Sequence, residues 1–270
     1  MYKFILNILF IFTFFATTSM DGTVRSPASP NDPQNYKIIN GGKIDDIPNG
    51  SYVEGSSTHG GAQPDYYMDL EDPIVKTYRE KAKELGKMRN LSFWDKIDEI
   101  TNIIADSALI GREYDDKNHK SVSKKYLKKD GNVPFSEYLY CSAGVCREYA
   151  LLAHILLKEA GIENTHMYAT IHRKSNYYDY DFEEDHAFNV VKYKGEEWVV
   201  DTYYVGFNGY RLKDLMSKKG ITEKSKMAPV AEEHIEFRRI VEINNYPRVW
   251  IPKKRLTSKC MDAINKFIKK

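Results

Sequence analysis

The sequence predicts an α+β fold in which one buried helix packs on an antiparallel β-sheet. The first observation is the segment CSAGVCREYALLAHILLKEAGI, residues 141–162, which is apolar on nearly every side after Cys146. A helix with that pattern lies in the interior of a domain. Second, polar and apolar residues alternate over residues 165–172, which predicts a strand. Third, residues 186–204 contain two strand-like runs on either side of a Lys-Gly turn, which predicts a β-hairpin.

The overall composition is that of an ordinary globular protein. The chain has 270 residues, of which 42% are hydrophobic and 29% charged, and its formal net charge is +2. A chain of this length can hold one substantial core together with extensions. Nucleic acid is not an expected partner, because binding its phosphates requires an excess of basic residues.

The N-terminal segment has the features of a secretory signal peptide. Lys3 supplies a positive start, residues 4–15 are apolar, and residues 16–19 are small. We predict a signal peptide over residues 1–19, and hence a secreted, periplasmic or cell-surface protein without stable membrane insertion after cleavage. An uncleaved anchor is the alternative, although spanning a bilayer takes about 20 apolar residues. Residues 20–70, rich in Pro, Gly, Ser and Asn, are predicted to be a disordered linker.

Residues 71–130 are predicted to form a helical N-terminal extension. The first helix begins at Asp72, an N-cap residue followed by proline. The second begins at Ser92, with Asp95 completing a variant of the capping box. The Lys- and Asp-rich stretch over residues 115–130 is predicted to be an exposed loop with room for one short helix.

The rest of the chain is predicted to contain the core and a terminal helix. The core covers residues 131–252 and includes the central helix, the strand, the hairpin and a further strand at residues 236–243. Residues 253–270 are predicted to form a basic amphipathic helix. Its charges are typical of a solvated face, with binding to an anionic surface as the alternative.

Cys146 lies at the predicted start of the central helix. Gly144 and Ser142 provide a tight turn and an N-cap, and Gly161 ends the helix as a left-handed residue. The free backbone N–H groups and the macrodipole at a helix start stabilise a thiolate, which is the nucleophilic form of cysteine. We therefore interpret Cys146 as a candidate nucleophile. The alternative is a small buried cysteine that only packs.

The chain has three cysteines, Cys141, Cys146 and Cys260. Export implies an oxidising compartment, where an odd number leaves at least one thiol free or paired with another molecule. A bridge between Cys141 and Cys260 would leave Cys146 free, whereas a bridge between Cys141 and Cys146 would mask it. The sequence leaves both pairings open.

A cysteine nucleophile needs a base, and the sequence favours His186 among seven histidines. His154 lies on the same helix as Cys146 but about 12 Å along its axis, out of reach. His166 and His172, on the preceding strand, are reserve candidates.

The spacing of the hairpin also supplies an orienting group. A two-residue turn at Lys194-Gly195 pairs Phe188 with Asp201, and His186 lies on the same face as Phe188 because side chains alternate. Asp201 is then the diagonal neighbour of His186, with Cβ atoms about 7 Å apart or less. A three-residue turn would put the two side chains on opposite faces.

Three sequence blocks together resemble the transglutaminase-like superfamily. They are GVCREYALLAHILLKEAGI, HAFNVV and WVVDTYY, and they follow the superfamily order of Gly-x-Cys helix start, His-Ala-aromatic strand and Asp on the next strand. The resemblance covers residues 135–209 and implies a papain-like α+β core with the catalytic helix against an antiparallel sheet. It also implies catalytic roles for Cys146 as nucleophile, His186 as general base and acid, and Asp201 as orienting group. Phe188 stands where many relatives carry Trp and keeps an aromatic wall.

The resemblance implies cysteine-dependent acyl transfer on peptide or glutamine amides through a thioester intermediate. The superfamily includes transglutaminases, cysteine proteases, deglycosylating amidases and inactive members, so a protease, a deamidase and a transglutaminase all stay open. The expected partners are a protein or peptide substrate and, for a transglutaminase, an amine acyl acceptor. No cofactor or metal is predicted. The alternative function is a catalytically inactive binding module in a secreted or surface protein.

Two further hypotheses concern groups around the nucleophile. The backbone N–H of Cys146 can donate to the oxyanion, with Tyr138 or Tyr140 as a second donor. Core packing is the alternative for either tyrosine. The acidic run over residues 179–185 precedes His186 directly and would raise its pKa and favour cationic substrates. The alternative is a solvated hairpin tip.

Overall fold

The computed structural model describes residues 38–39, 43–53, 64–111, 116–127, 132–174, 181–204, 208–216, 228 and 248–250. The helices and strands are, in chain order, β1 (Ile38–Ile39), β2 (Lys43–Ile44), β3 (Tyr52–Val53), β4 (Asp65–Tyr67), α1 (Pro73–Lys87), α2 (Phe93–Ile103) with a π-helical turn (Ile104–Ala108), α3 (Lys117–Leu127), β5 (Asn132–Pro134), α4 (Phe135–Tyr140), α5 (Cys146–Glu159), β6 (Asn164–Lys174), β7 (Asp181–Tyr193), β8 (Glu196–Val200), α6 (Leu212–Leu215) and β9 (Arg248–Trp250). These helices combine with one antiparallel and one mixed sheet, so the predicted α+β class is confirmed.

The larger sheet contains the predicted strand and hairpin. Its order is β2-β6-β7-β8, β9 also pairs with β6, and all of these pairs are antiparallel. Strands β7 and β8 meet where Tyr193 pairs with Glu196. Between them Lys194 and Gly195 have φ angles of 49° and 79°, as a type I′ turn requires. The two-residue turn is therefore confirmed, and with it the parity that puts alternate residues of β7 and β8 on one face.

The helix α5 is the centre of the fold. Every residue from 146 to 157 is buried, which confirms the prediction from the apolar run. The helix packs on β6 and β7 on one side and on α1 on another. The approach of α1 is so close that a Cβ atom on Gly86 would lie 2.6 Å from the carbonyl oxygen of Ala160. Gly161 follows the helix with φ 76°, the left-handed conformation that its position predicts.

A second, four-stranded sheet lies partly within the segment predicted to be a linker. Its order is β1-β3-β4-β5, and Tyr52 and Tyr66 in it are at most 1% exposed. The prediction of a disordered linker over residues 20–70 is therefore wrong for residues 43–53 and 64–70. These strands are two or three residues long and pair with partners distant in sequence, so the local composition carries no signal of them.

The helices α1 and α2 begin where the sequence predicts. Asp72 caps α1 through its side chain, and Ser92 and Asp95 form a reciprocal capping box at the start of α2. Helix α3 lies in the stretch predicted to be an exposed loop with room for one short helix, and with 11 residues it occupies most of that stretch. Its composition is dominated by Lys, yet it buries His119, Val122 and Tyr126 against the rest of the fold.

Several predictions fall on residues outside the described ranges. These are the signal peptide at residues 1–19, the strand at residues 236–243 and the basic helix at residues 253–270, and the predicted domain boundaries stay predictions as well. Within the described ranges, no helix has the length and apolar character needed to cross a membrane.

Candidate active site

Cys146 is the first residue of α5. Val145 is its N-cap residue. The predicted N-cap at Ser142 is wrong, because that residue occupies the tight turn before the helix with φ 51°. Gly111 holds this turn: its N–H donates to the carbonyl of Ser142 at 2.9 Å, and its own carbonyl accepts from the N–H of Gly144 at 2.8 Å. The backbone that leads to Cys146 is thereby fixed on both sides of the turn.

Cys146, His186 and Asp201 form one hydrogen-bonded chain. Cys146 is 5% exposed, and its side chain is hydrogen-bonded to the His186 ring. The Nε2 atom of His186 lies 2.6 Å from Oδ2 of Asp201. Because Asp201 occupies Nε2, the nitrogen left for the thiol is Nδ1. The structure thus brings together the three residues that the sequence singled out, while their catalytic roles stay a prediction.

Asp201 is itself held by backbone groups. Its Oδ1 atom accepts hydrogen bonds from the N–H groups of Tyr203 at 3.0 Å and Tyr204 at 2.8 Å, which leaves Oδ2 for His186. In the hairpin, Val200 pairs with Asn189 in the last pair of the ladder, and Asp201 is the first residue after β8, so the predicted pair of Phe188 with Asp201 lies one step beyond the ladder. The carboxylate is 1% exposed and its position is set by the turn that follows β8.

The surroundings of His186 raise its pKa. Burial lowers the pKa, but the charge and hydrogen bond of Asp201, together with the contact to Cys146, outweigh burial and raise the pKa from 6.5 to about 10. The imidazole is therefore protonated at neutral pH.

Aromatic rings surround the imidazole. The ring of Phe188 lies nearly parallel to it, with centroids 6.0 Å apart, so the expected aromatic wall is present. The ring of Tyr204 is closer, at 4.8 Å, and Tyr203 lies at 6.3 Å. Both tyrosines are partly exposed, and they therefore form the side of the site that reaches the surface.

The chain matches an N-acetyltransferase model. The protein-family model with this description covers residues 142–244, under half of the chain, and the matched range contains Cys146, His186 and Asp201. The match supports an enzyme that handles acyl groups, which is the coarser part of the prediction. It does not confirm membership of the transglutaminase-like superfamily.

A search of curated proteins gave no match. Among solved structures, the chain is similar to a candidate cysteine protease from Cytophaga hutchinsonii, with 21% identity and a TM-score of 0.32. That alignment covers 47% of this chain and 37% of the other, so this chain spans little more than a third of that protein's length.

A second buried polar group, not predicted from the sequence, lies at the start of α5. Glu148 is fully buried, and its Oε2 atom accepts the N–H of Val145 at 2.8 Å and lies 3.7 Å from Nε2 of His119. The hydroxyl of Tyr66 donates to Oε1 of Glu148. The guanidinium of Arg147, 3% exposed, lies 5.8 Å from the centre of the Tyr66 ring. The available signal was a glutamate three residues after an N-cap position, which is the spacing of a capping box.

The other histidines considered as bases lie elsewhere. His154 bonds through Nδ1 to Oδ1 of Asn164 at 2.8 Å, and the ring of His166 lies 6.4 Å from that of His154. The side chain of His172, the other reserve candidate, lies outside the described part of the chain.

The tyrosines suggested as oxyanion donors have other contacts. The hydroxyl of Tyr140 donates to Oδ1 of Asp72 at 2.9 Å. Tyr138 is fully buried, with its ring 5.7 Å from that of Tyr66. Tyr138 is therefore packed in the core, and Tyr140 forms a hydrogen bond at the surface.

The remaining site predictions are only partly covered by the described residues. Cys141 and Cys146 are both free, so no bridge joins them in this structure, whereas Cys260 is not among the described residues. Residues 181–185 of the acidic run belong to β7 rather than to a hairpin tip, but their side chains are not described. Within the described residues, no three His, Cys, Asp or Glu side chains are grouped so that they could hold a metal ion.

Proposed function

We propose that the protein is an exported cysteine-dependent acyltransferase in which Cys146 carries the acyl group as a thioester. The hydrogen-bonded chain from Cys146 through His186 to Asp201, at the start of a buried helix, is the observation that carries the proposal. The predicted signal peptide would place the reaction outside the cytoplasm. The acyl donors would be peptide or glutamine amides, as in the transglutaminase-like superfamily, or small acetyl donors, as the N-acetyltransferase match suggests.

The two half-reactions follow from the positions of the three side chains. The Cys146 sulfur attacks the acyl carbon, the bond to the leaving group breaks, and His186 donates its proton to that group. The backbone N–H of Cys146, at the helix start, donates to the oxyanion. An acceptor then attacks the thioester, gives its proton to His186, and releases the sulfur. Asp201 keeps the ring oriented throughout, because its other oxygen is bound to backbone groups.

The acceptor that we favour is an amine. The support is the family match, since an N-acetyltransferase passes its acyl group to nitrogen. The low exposure of Cys146 and His186 fits this choice, because a site that limits access of water preserves a thioester for a competing amine. With water as acceptor the same chemistry would give a protease or a deamidase.

The proposal is tested by following the thioester directly. The reduced protein is mixed with p-nitrophenyl acetate, and intact-mass spectrometry measures addition of one acetyl group. We expect acetylation of the wild type, none of Cys146→Ala, and transfer to an added primary amine. Cys141→Ser is the matched control, because Cys141 is a half-buried thiol whose pKa is raised by burial and by Glu137. Its acetylation should equal that of the wild type.

A casein-like substrate distinguishes the donors. Incubation with and without a primary amine yields cleavage, deamidation or amine incorporation, each with its own change in mass. Absence of all three together with acetyl transfer would restrict the proposal to small acyl donors. Wild type that gains no acyl group from either donor would contradict the proposal.

A catalytically inactive binding module is the second candidate. The observation in its favour is that Cys146, His186 and Asp201 are each at most 5% exposed, as packed core residues would be. Under this alternative the native protein would leave Cys146 unreactive toward iodoacetamide, and His186→Ala would not change that.

A further inference from the structure

Glu148 is a buried charged group that the proposed acyl transfer does not use. Glu148 is fully buried and lies two residues after Cys146, in the first turn of α5. Its carboxylate contacts three different parts of the fold: the backbone of Val145, the hydroxyl of Tyr66 on β4, and the ring of His119 on α3.

The carboxylate is in its charged form. Burial raises the pKa of Glu148, but the contact with His119 at 3.7 Å, the charge of Arg147 and the hydrogen bond from the Tyr66 hydroxyl outweigh burial and lower the pKa to about 2. Tyr138, on α4, faces the same group and has its own pKa raised by burial and by Glu148. A buried charge with this many partners is more than a helix cap requires. The capping box of α2, in which Asp95 accepts the N–H of Ser92 at 2.9 Å, lies at the surface.

The bond from Glu148 controls the backbone next to the nucleophile. It fixes the N–H of Val145, which is extended, and the following peptide carries the N–H of Cys146. Glu148 also lies under the preceding turn, since a Cβ atom on Gly144 would be 2.9 Å from the Cβ of Glu148. A shift of this carboxylate would therefore rotate the Cys146 peptide and the direction of its sulfur.

We propose that Glu148 is a positioning residue that holds the start of α5 so that the Cys146 sulfur faces His186 and the Cys146 N–H faces the reacting carbonyl. The inference rests on the proposed acyl transfer and deepens it. Through Tyr66 and His119, it also gives the smaller sheet and α3 a role in setting the geometry of the nucleophile. These are the two parts of the fold that composition alone described as linker and loop.

The test compares Glu148→Gln with Asp95→Asn, which makes the same chemical change in the exposed capping box of α2. Both are measured below their melting temperatures for kcat and KM with p-nitrophenyl acetate and for the rate of Cys146 alkylation by iodoacetamide. We expect Glu148→Gln to lower kcat and the alkylation rate by about 10- to 100-fold with little change in KM, because misplacement of a reacting group by about 1 Å has effects of that size. Asp95→Asn should lower the melting temperature and leave both rates unchanged.

Conservative variants separate positioning from simple destabilisation. Glu148→Asp keeps a charged carboxylate at the third helical position, where Asp95 serves in α2, and should recover part of the lost kcat. Tyr66→Phe removes one partner of the carboxylate and leaves the Val145 bond, so a loss of a few-fold is expected. Tyr66→Phe is also the deciding variant if Glu148→Gln does not fold.

The results overturn the inference and the proposed function separately. A folded Glu148→Gln with wild-type kcat and wild-type alkylation rate overturns the positioning role. An equal loss of kcat in Asp95→Asn does the same. A wild type that is alkylated at Cys146 but forms no acyl-enzyme contradicts acyl transfer, and the alkylation rates of Glu148→Gln then still decide the positioning role. A wild-type Cys146 that does not react at all overturns both.

Discussion

Replacing Asp201 by asparagine is the sharpest test of how the hydrogen-bonded chain works. In the native protein, one oxygen of Asp201 accepts the N–H groups of Tyr203 and Tyr204, and the other accepts from His186. An asparagine has one oxygen and one NH₂ group. If the oxygen faces the two backbone N–H groups, the NH₂ group faces Nε2 of His186, which must then be unprotonated. If the amide is flipped, the NH₂ group faces two other donors. Neither orientation keeps all the native bonds.

The magnitude follows from the pKa of His186. The rise from 6.5 to about 10 corresponds to roughly 5 kcal/mol of preference for the charged ring, at 1.36 kcal/mol per pKa unit, and Asp201 and Cys146 share it. Without the carboxylate, burial dominates and lowers the pKa of His186. We therefore expect kcat/KM of Asp201→Asn to fall by about 10²- to 10⁴-fold, as it does when the acid of a related triad becomes an amide.

The assay is the pH dependence of Cys146 alkylation by iodoacetamide. In the wild type, His186 stays charged up to about pH 10, so the sulfur has a positively charged neighbour between about pH 6.5 and about pH 9. In Asp201→Asn the imidazole is neutral in that range, the sulfur loses its charged neighbour, and the alkylation rate at neutral pH should fall below that of the wild type. Circular dichroism checks that the variant is folded. Identical profiles for wild type and variant would refute the argument that Asp201 sets the charge of His186.

Two other predictions concern stability. Gly86→Ala should lower the free energy of unfolding by about 1–3 kcal/mol, because its Cβ atom would lie 2.6 Å from the backbone oxygen of Ala160 and neither helix can yield easily. Gly161→Asn is the near-neutral control in the same denaturant titration, because Gly161 is in a left-handed conformation with open space around it. An equal loss of stability in both variants would contradict the packing argument. Burial, with the nearby charge of Lys158, lowers the pKa of His154 to about 4. Between about pH 6.5 and about pH 4, His154 therefore binds a proton in the unfolded chain but not in the folded protein. The free energy of unfolding should therefore decrease as the pH is lowered through that window, by up to about 3 kcal/mol. His154→Gln should make the melting temperature less dependent on pH there, and an unchanged pH dependence would count against this assignment.

The parts of the site that could be predicted from the sequence are those set by local periodicity. The apolar run after Cys146 specifies a buried helix, and the period of two in the hairpin, with a turn of known length, puts His186 and Asp201 on one face. These features depend on residues close in the chain, for which few alternative local structures are possible. The N-cap shows the limit of such reasoning: Ser142 has the right chemistry, but the turn held by Gly111 moves the helix start to Val145.

The missed parts are those set by contacts between distant segments. The strands β3 and β4 have two and three residues, too few to display a period, and they are stabilised by pairing with each other and with β5. His119 lies in a segment whose composition is polar, and its burial follows from the position of α3 against the core. A partner more than twenty residues away carries no signal in a local pattern, so neither Tyr66 nor His119 could be connected with the nucleophile.

The two buried carboxylates of the site have a common design. Asp201 and Glu148 each use one carboxylate oxygen to accept backbone N–H groups and the other to bind a side chain, which is His186 for Asp201 and Tyr66 for Glu148. A carboxylate bound only to a flexible side chain could move with it, whereas one bound to backbone is fixed by the fold. Asp201 thereby fixes the imidazole, and Glu148 fixes the helix start that carries Cys146. The Cys146 sulfur and the His186 ring are thus each held in place by a carboxylate that is bound to the backbone. The two groups therefore keep their relative geometry although they lie forty residues apart in the chain.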